Sequence, residues 1–297
     1  MQKIIEQIRD RVLGQTNESL LETAIARVSI AVVHQGGDPE VTMCDPGICL
    51  VLQGTKTLTI GDQTLRQSPG VSFASLVELP ATRCVYETER REPYVATGLT
   101  IDQEALISLL GDIGPVVTTR QPVPSFSIED DSYELLEAWN RYLALFDKPD
   151  DIPGLAVPRE RELLYRLLKS PHGTLLQQIV KDHGRIAQIR RAIDLIRTHF
   201  EEPLPIKVLA DVAGMSVAAF NRHFKTATST SPLQYQKTLR LQTAQQLLAK
   251  GNDATRAAYA VGYGSVSQFT REYGRYFGRP PKQDSVSIRN KAVSGEP

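Results

Sequence analysis

Residues 206–228, IKVLADVAGMSVAAFNRHFKTAT, and residues 255–278, TRAAYAVGYGSVSQFTREYGRYFG, are two versions of one pattern. Phe220, Asn221, Arg222, His223 and Phe224 give an aromatic, a polar residue, an arginine, a spacer and a second aromatic. Phe269, Thr270, Arg271, Glu272 and Tyr273 repeat that order 49 residues later. In each version a small residue precedes a glycine by four positions: Ala210 with Gly214, then Ala258 with Gly262. Two short helices joined at a glycine, the second carrying a buried aromatic pair and an outward arginine, form the helix-turn-helix pattern. One copy is weak evidence, because many helix pairs turn at glycine. Two copies in one basic segment point to a bipartite DNA-reading module.

Within the first unit, Val208, Leu209, Val212 and Ala213 make a short helix, Gly214 permits a left-handed turn, and Ser216 is placed to cap the next helix. Phe220 and Phe224 share the inner face at i, i+4, which leaves Val217, Ala218, Asn221, Arg222 and Lys225 outside. Arginine bonds a guanine edge and asparagine an adenine edge, so Arg222 and Asn221 are the natural base readers, with Lys225 better suited to a phosphate. The second unit has one extra residue after its glycine. Ser265 or Ser267 caps its helix, Phe269 and Tyr273 point inward, and Ser267, Gln268, Thr270 and Arg271 face outward. Either arginine alone reads as a solvated surface charge; the matching positions favour DNA contact. Between the units, SPLQYQKTLRLQTAQQLLAK (231–250) predicts a helix of roughly 18 residues, ~27 Å long. That length spaces two recognition helices toward successive major grooves, about 34 Å apart. Lys237 and Arg240 on this helix are candidate phosphate contacts.

The chain has 297 residues, enough for two domains, and 34 Lys+Arg balance 34 Asp+Glu. Residues 1–182 carry 17 basic and 26 acidic residues, whereas 183–297 carry 17 and 8. An acidic half joined to a basic half suits a polyanion-binding domain attached to something else. In the amino-terminal half, residues 1–26 read as a pair of amphipathic helices. From about 28 to 100, short β-rich runs (VSIAVVH, ICLVLQG, KTLTIGDQTLR, VSFASLV, TRCVYET, YVATGLTI) alternate with turn residues, which predicts an antiparallel barrel or sandwich. Gly61-Asp62 suits a two-residue hairpin turn. Helical periodicity returns at 102–110 and at 129–146, with Tyr133, Leu136, Trp139, Leu143 and Phe146 as a stripe. Asp147–Pro158 is rich in breakers and reads as a connector, followed by helices at 159–180 and 185–200. The 129–146 and 159–180 helices are candidates for coupling and for a homodimer contact.

The stretch 186–281 resembles the AraC/XylS transcription regulators. The resemblance rests on the Leu209–Phe224 unit, the linker SPLQYQKTLRLQTAQQLL and the ending VGYGSVSQFTREYGRYFGRPP. It implies seven helices, sequence-specific binding of double-stranded promoter DNA and contacts with RNA polymerase. Two departures stand out. Lys282-Gln283-Asp284 follows Pro281 where the family has an aromatic-basic step, and Ala218 is small where some members place a larger base-contacting residue. The segment MCDPGICLVLQG…YVATGLTI resembles the cupin-like effector domain of one branch of the same family, covering about residues 20–180. The implied architecture is α+β multidomain. Residues 1–182 form a cupin-like antiparallel β-barrel with flanking helices, 183–285 an all-α domain with two helix-turn-helix motifs, and 286–297 a disordered tail. Ser216, Ala218, Asn221, Arg222, Lys225, Lys237, Arg240, Ser267, Gln268, Thr270 and Arg271 are the expected DNA contacts.

The barrel is expected to bind rather than catalyse. Catalytic cupins hold a metal with closely spaced histidines and glutamates, whereas this region has one histidine, His34, and no H-x-H, and no cofactor-binding fingerprint occurs. The competing reading is a cupin-type enzyme with an accessory nucleic-acid domain. A small-molecule effector is expected in the barrel mouth, lined by Leu50, Leu52, Phe73, Tyr86 and Tyr94. A second sensing route runs through a thiol, with Cys84 beside Arg83 the candidate, weighed against cysteines that are small core hydrophobes. Three cysteines without metal-ligand spacing, no apolar run of ~18–20 residues and a start that alternates charged with apolar residues predict a cytoplasmic chain with reduced thiols.

Overall fold

The computed structural model describes residues 1–15, 20–34, 36, 40–88, 92–114, 125–181 and 185–284. Helix α1 (Gln2–Leu13) buries Ile4, Ile5, Ile8 and Val12 on one face, as their spacing predicts. The second helix expected before residue 26 is replaced by a strand, β1 (Leu20–Glu22), paired antiparallel with β2 (Val28–Val33). So short an apolar run fits either period, and the neighbouring strand decides it. Next come β3 (Glu40–Cys44), β4 (Gly47–Gln53), β5 (Thr55–Ile60), β6 (Gln63–Gln67), β7 (Val71–Ser75), β8 (Leu79–Glu87), β9 (Tyr94–Leu99), α2 (Gln103–Ile113) and β10 (Phe126–Asp130).

Every strand pairing is antiparallel, as the alternating runs predict. The barrel expectation is corrected in one respect: the strands form two sheets and do not close. One sheet has the order β1-β2-β9-β4-β7-β10 and the other β3-β8-β5-β6. Alternation places side chains on faces but does not say which strand closes on which. Gly61-Asp62 makes the expected hairpin, with Ile60 opposite Gln63 and Gly61 at φ +61°.

Helix α3 (Tyr133–Leu143) buries Leu136, Trp139 and Leu143, and Phe146 follows in a 3-10 turn (Ala144–Asp147); Tyr133, in the first helical turn, is exposed. Helix α1 packs on α3, β4 and β9. Most of the supposed connector is helical, because α4 (Ile152–Lys169) starts at Ile152. Pro153 falls in the first turn, where no N–H is needed, and Pro158 removes one hydrogen bond without ending the helix.

A buried polar chain fastens the end of α4 to the larger sheet. Ser72 on β7 donates to Asp131 Oδ1 at 2.5 Å and lies 2.8 Å from His172 Nε2, while Ser127 on β10 lies 2.6 Å from His172 Nδ1. Because Ser72 gives its one proton to Asp131, His172 donates Nε2–H to Ser72 and accepts from Ser127. Burial pushes the Asp131 carboxyl up to about 7 against the opposing bond from Ser72, and pushes His172 down to about 4. Two short helices, α5 (Gly173–Leu176) and α6 (Gln178–Lys181), follow.

The remaining helices are α7 (Arg185–Thr198), α8 (Ile206–Val212), α9 (Val217–Thr228), α10 (Pro232–Ala249), α11 (Ala254–Ala260) and α12 (Val266–Phe277), with a helical turn at 281–284. The boundary placed at 182/183 and the tail at 286–297 lie outside the described residues. The α8–α9 and α11–α12 pairs are built alike. Gly214 (φ +63°) and Gly262 (φ +83°) make the turns, closed by Met215 N–H to Ala210 O at 2.9 Å and Tyr263 N–H to Ala258 O at 3.0 Å. Ser216 caps α9 through Ala219 N and Ser265 caps α12 through Gln268 N, so Ser265 rather than Ser267 is the second cap. The aromatic pairs match: Phe220–Phe224 and Phe269–Tyr273 both have ring centroids 5.4 Å apart. Their cores are separate. Phe220, Phe224 and Tyr235 belong to the apolar core that runs through both sheets, whereas Leu241, Leu248, Ala258, Phe269 and Tyr273 form a second core.

The two turn glycines are not equivalent. A Cβ at Gly214 meets only the Gln188 side chain at 3.5 Å, but one at Gly262 falls 1.9 Å from Glu201 O. Gly214→Ala is expected to cost about 1–2 kcal/mol from the left-handed backbone alone, and Gly262→Ala a further ~1–3 kcal/mol from overpacking; equal losses on urea unfolding would refute the distinction. A second expectation concerns pH. The folded-state pKa of Asp131 lies above its unfolded value, so the stability this group contributes is lost as pH rises from about 4 to 7. Asp131→Asn cannot ionise and should gain on the parent between pH 5 and pH 8 by on the order of 2–3 kcal/mol. A difference in unfolding free energy that is the same at both pH values would show that Asp131 ionises normally.

Candidate nucleic-acid interface and ligand cavity

The repeated helix pairs turn the same positions outward. On α9, the cap Ser216 and Ala218, Asn221, Arg222 and Lys225 are all exposed. On α12, Ser267, Gln268 and Arg271 are exposed and Thr270 is half-buried. Each set lies opposite its aromatic pair, so the inward packing of Phe220–Phe224 and Phe269–Tyr273 is what presents the polar face.

The two cations on α10 behave differently from this expectation. Arg240 is turned inward, and its guanidinium donates to the carbonyls of Phe200 (2.6 Å), Gly262 (3.1 Å), Glu201 (3.1 Å) and Glu202 (3.0 Å). Burial lowers its pKa. Arg240 thus braces the 200–202 segment against the glycine turn of the second helix pair. Lys237 is engaged as well, 3.0 Å from Glu272 Oε2. Glu272 also accepts from Tyr263 OH at 2.9 Å and Gln268 Nε2 at 3.3 Å. Burial works to raise its carboxyl, and the bonds from Lys237, Tyr263 and Gln268 outweigh it and hold it below the ordinary carboxylate range. Glu272 had looked like a spacer, because period alone gives a polar residue no partner.

The first helix pair is docked onto the amino-terminal sheets. Arg190 of α7 donates Nε to Leu76 O at 2.9 Å, Arg197 pairs with the buried Glu78 at 3.0 Å, and Tyr235 OH donates to Glu78 O at 3.2 Å. The Gly61-Asp62 hairpin tip meets the C-terminal end of α9 so closely that a Cβ on Gly61 would lie 2.5 Å from Ser229 O. Asp62 and Gln63 thereby share a cavity with Arg222, Lys225 and Thr226. Nothing in the hairpin's composition signalled this contact.

A second cavity, about 610 Å³, lies between the sheets. Ser29 and Ala31 of β2, Cys49 of β4, and Ala96 and Gly98 of β9 line one wall, with Phe73; Cys44, Lys56 and Tyr86 line the other. The space exists because small residues occupy paired positions, Ala31 opposite Ala96 and Cys49 opposite Gly98. Of the expected effector contacts, Phe73 and Tyr86 line this cavity. Leu50 and Leu52 do not: they lie on the other face of β4, in the core that includes α1. Tyr94 is buried beside Val51 and Ala96, with its ring 4.9 Å from Tyr86. Lys56 and the small residues were missed, because their inward direction depends on a strand parity the sequence left open.

None of the three cysteines is in a disulfide. Burial pushes Cys44 up to about 11 and raises Cys49, which keeps both as thiols. Cys84 is in the core, opposite Leu58 on β5, while Arg83 is exposed on the other face, so the arginine is not placed to favour its thiolate. Among the described residues no group of three His, Cys, Asp or Glu side chains is arranged to hold a metal, and no helix is long and apolar enough to cross a membrane.

Residues 24–175 match the model for the AraC-type transcriptional regulator N-terminus, and 209–284 match a helix-turn-helix domain model. The thermoregulatory protein LcrF of Yersinia pestis is 29% identical over 177 residues, 59% of this chain and 64% of that protein. A probable thc operon regulatory protein of Rhodococcus erythropolis is 30% identical over 104 residues, 34% of this chain and 31% of that protein. These matches thus span less than two thirds of the relatives' own lengths. In fold, the chain is similar to ToxT of Vibrio cholerae in an apo form (TM-score 0.55, 12% identity, 92% of this chain and 99% of that one). It is equally similar to wild-type ToxT bound to an unsaturated fatty acid (TM-score 0.56, 11% identity, 91% and 95%). With the amino-terminal model alone covering half of its length, the chain belongs to the family of AraC-type transcriptional regulators.

Proposed function

We propose that this protein is a sequence-specific DNA-binding regulator of transcription whose output is set by a small molecule held between its two sheets. The observation that carries the reading is the duplication. Two helix pairs with the same turn bond, the same capping serine and the same 5.4 Å aromatic pair present Arg222 and Arg271 at equivalent outward positions. In this reading Asn221, Arg222, Gln268 and Arg271 meet base edges. Ser216, Ala218, Lys225, Ser267 and Thr270 lie along the groove and backbone. Lys237 acts through Glu272 and Arg240 acts through the fold. Double-stranded promoter DNA and RNA polymerase are the partners that go with the family, and a cytoplasmic location goes with them. That ToxT, which shares this fold, binds an unsaturated fatty acid supports a small-molecule effector for this chain.

Selection from random duplex DNA with the full-length chain at about physiological salt should enrich a motif with two elements about one helical turn apart; no enriched motif would overturn specific recognition. On that motif, Arg222→Ala and Arg271→Ala should each cost about 1–3 kcal/mol of binding and relax one element, with the melting temperature unchanged. Arg240→Ala should instead lower the melting temperature, because it strips a bond from four carbonyls. Equal loss on specific and random DNA would move the two outward arginines to phosphates.

A further inference from the structure

Lys56 is the one lysine among the residues that line the cavity between the sheets. Among the described residues its ammonium meets neither a carboxylate nor a hydrogen-bond acceptor, and lies over the Tyr86 ring, 5.7 Å from its centroid. Its neighbours Cys44 and Cys49 are held as neutral thiols by burial, so they supply no negative charge at neutral pH. Asp45 is also on the cavity wall, as is Arg27, whose guanidinium is committed to Glu160 at 2.6 Å and Asp102 at 3.5 Å. Among the described residues the cavity therefore has one uncommitted cation, set among Phe73, Tyr86, Ala31, Ala96 and Ile48. A cation facing a low-dielectric space with three donors unused is costly unless an anion completes it.

We propose that the cavity between the sheets takes a carboxylate on an apolar body, with the carboxylate on Lys56 and the body against Phe73, Tyr86 and the small residues of β2 and β9. This rests on the cavity being the effector site and names the chemistry it selects. A volume of about 610 Å³ lies within the range of sites for small organic ligands, roughly 300–1,000 Å³. Apolar walls supply affinity, and the ammonium supplies orientation and the choice of anion over neutral or cationic analogue. The face of the Tyr86 ring, 5.7 Å from the ammonium, favours the charged form of Lys56 over the neutral one.

The test is calorimetric titration and thermal shift on the full-length protein with decanoate, 2-naphthoate, decanol, 2-naphthalenemethanol and decylamine. At least one acid should bind and raise the melting temperature, about tenfold or more tighter than its alcohol, and decylamine should not bind. Lys56→Gln should bring that acid down to the affinity of its alcohol without changing the alcohol, and Lys56→Arg should restore part of the preference. Ala31→Leu, which fills the cavity from β2, should weaken acid and alcohol together. Circular dichroism establishes that each variant is folded. Alcohols that bind as tightly as acids, or an acid preference that survives Lys56→Gln, would overturn the anion assignment and leave the effector cavity standing. Acid binding unaffected by both Lys56→Gln and Ala31→Leu would place the ligand elsewhere. Absence of binding by all five compounds would overturn the ligand class together with the apolar cavity as its site. Decanoate and 2-naphthoate as separate arms distinguish a fatty-acid source from an aromatic-acid source.

Discussion

Tyr235 sits where three parts of the molecule meet. Its ring stands edge-on to Phe224 of the first helix pair at 5.6 Å, its hydroxyl donates to Glu78 O between the two sheets, and its backbone begins the long helix α10. The side chain is fully buried, so its hydroxyl needs that acceptor, and the acceptor lies in the other half of the chain. The Arg197–Glu78 pair and the Arg190–Leu76 bond surround the same point. One apolar core therefore runs from the sheets into the first helix pair, while the second pair keeps a core of its own.

Much of this architecture was legible. The aromatic pairs, the turn glycines and the capping serine of α9 follow from period and stereochemistry, which act over a few residues. The Gly61-Asp62 hairpin and the apolar face of α1 were legible for the same reason. What was hidden depends on partners distant in the chain. Arg240 and Arg222 are both arginines on helices, and only the carbonyls of residues 200–202 and 262 make one a brace and leave the other exposed. Leu50 and Cys49 are neighbours on β4, and which of them faces the cavity is set by the sheet's second layer. Lys56 looked like an ordinary hairpin residue until that layer placed it indoors.

The cavity and the docking surface are close relatives in space. Pro46, Gly47 and Thr100 belong to the wall of the cavity between the sheets and also to that of a smaller one, about 280 Å³, bounded by Glu78, Arg190 and Arg197. A ligand that presses on the 45–47 turn acts on residues that also border α7. The turn has little slack, since a Cβ on Gly47 would lie 2.6 Å from Leu99 O. Close packing of this kind passes displacement on rather than absorbing it.

The division into two cores gives α10 a mechanical character. Its first turn is clamped to the sheets through Tyr235, while its far end carries α11 and α12, which Arg240 ties to the 200–202 segment and which make no bond to the sheets among the described bonds. Such a helix is a lever about 27 Å long. A tilt of ~10° at the clamp swings the far end by ~5 Å, more than one base-pair step of about 3.4 Å. A change at the pivot too small to disturb either helix pair is thus enough to alter how the outward faces of the two pairs are spaced.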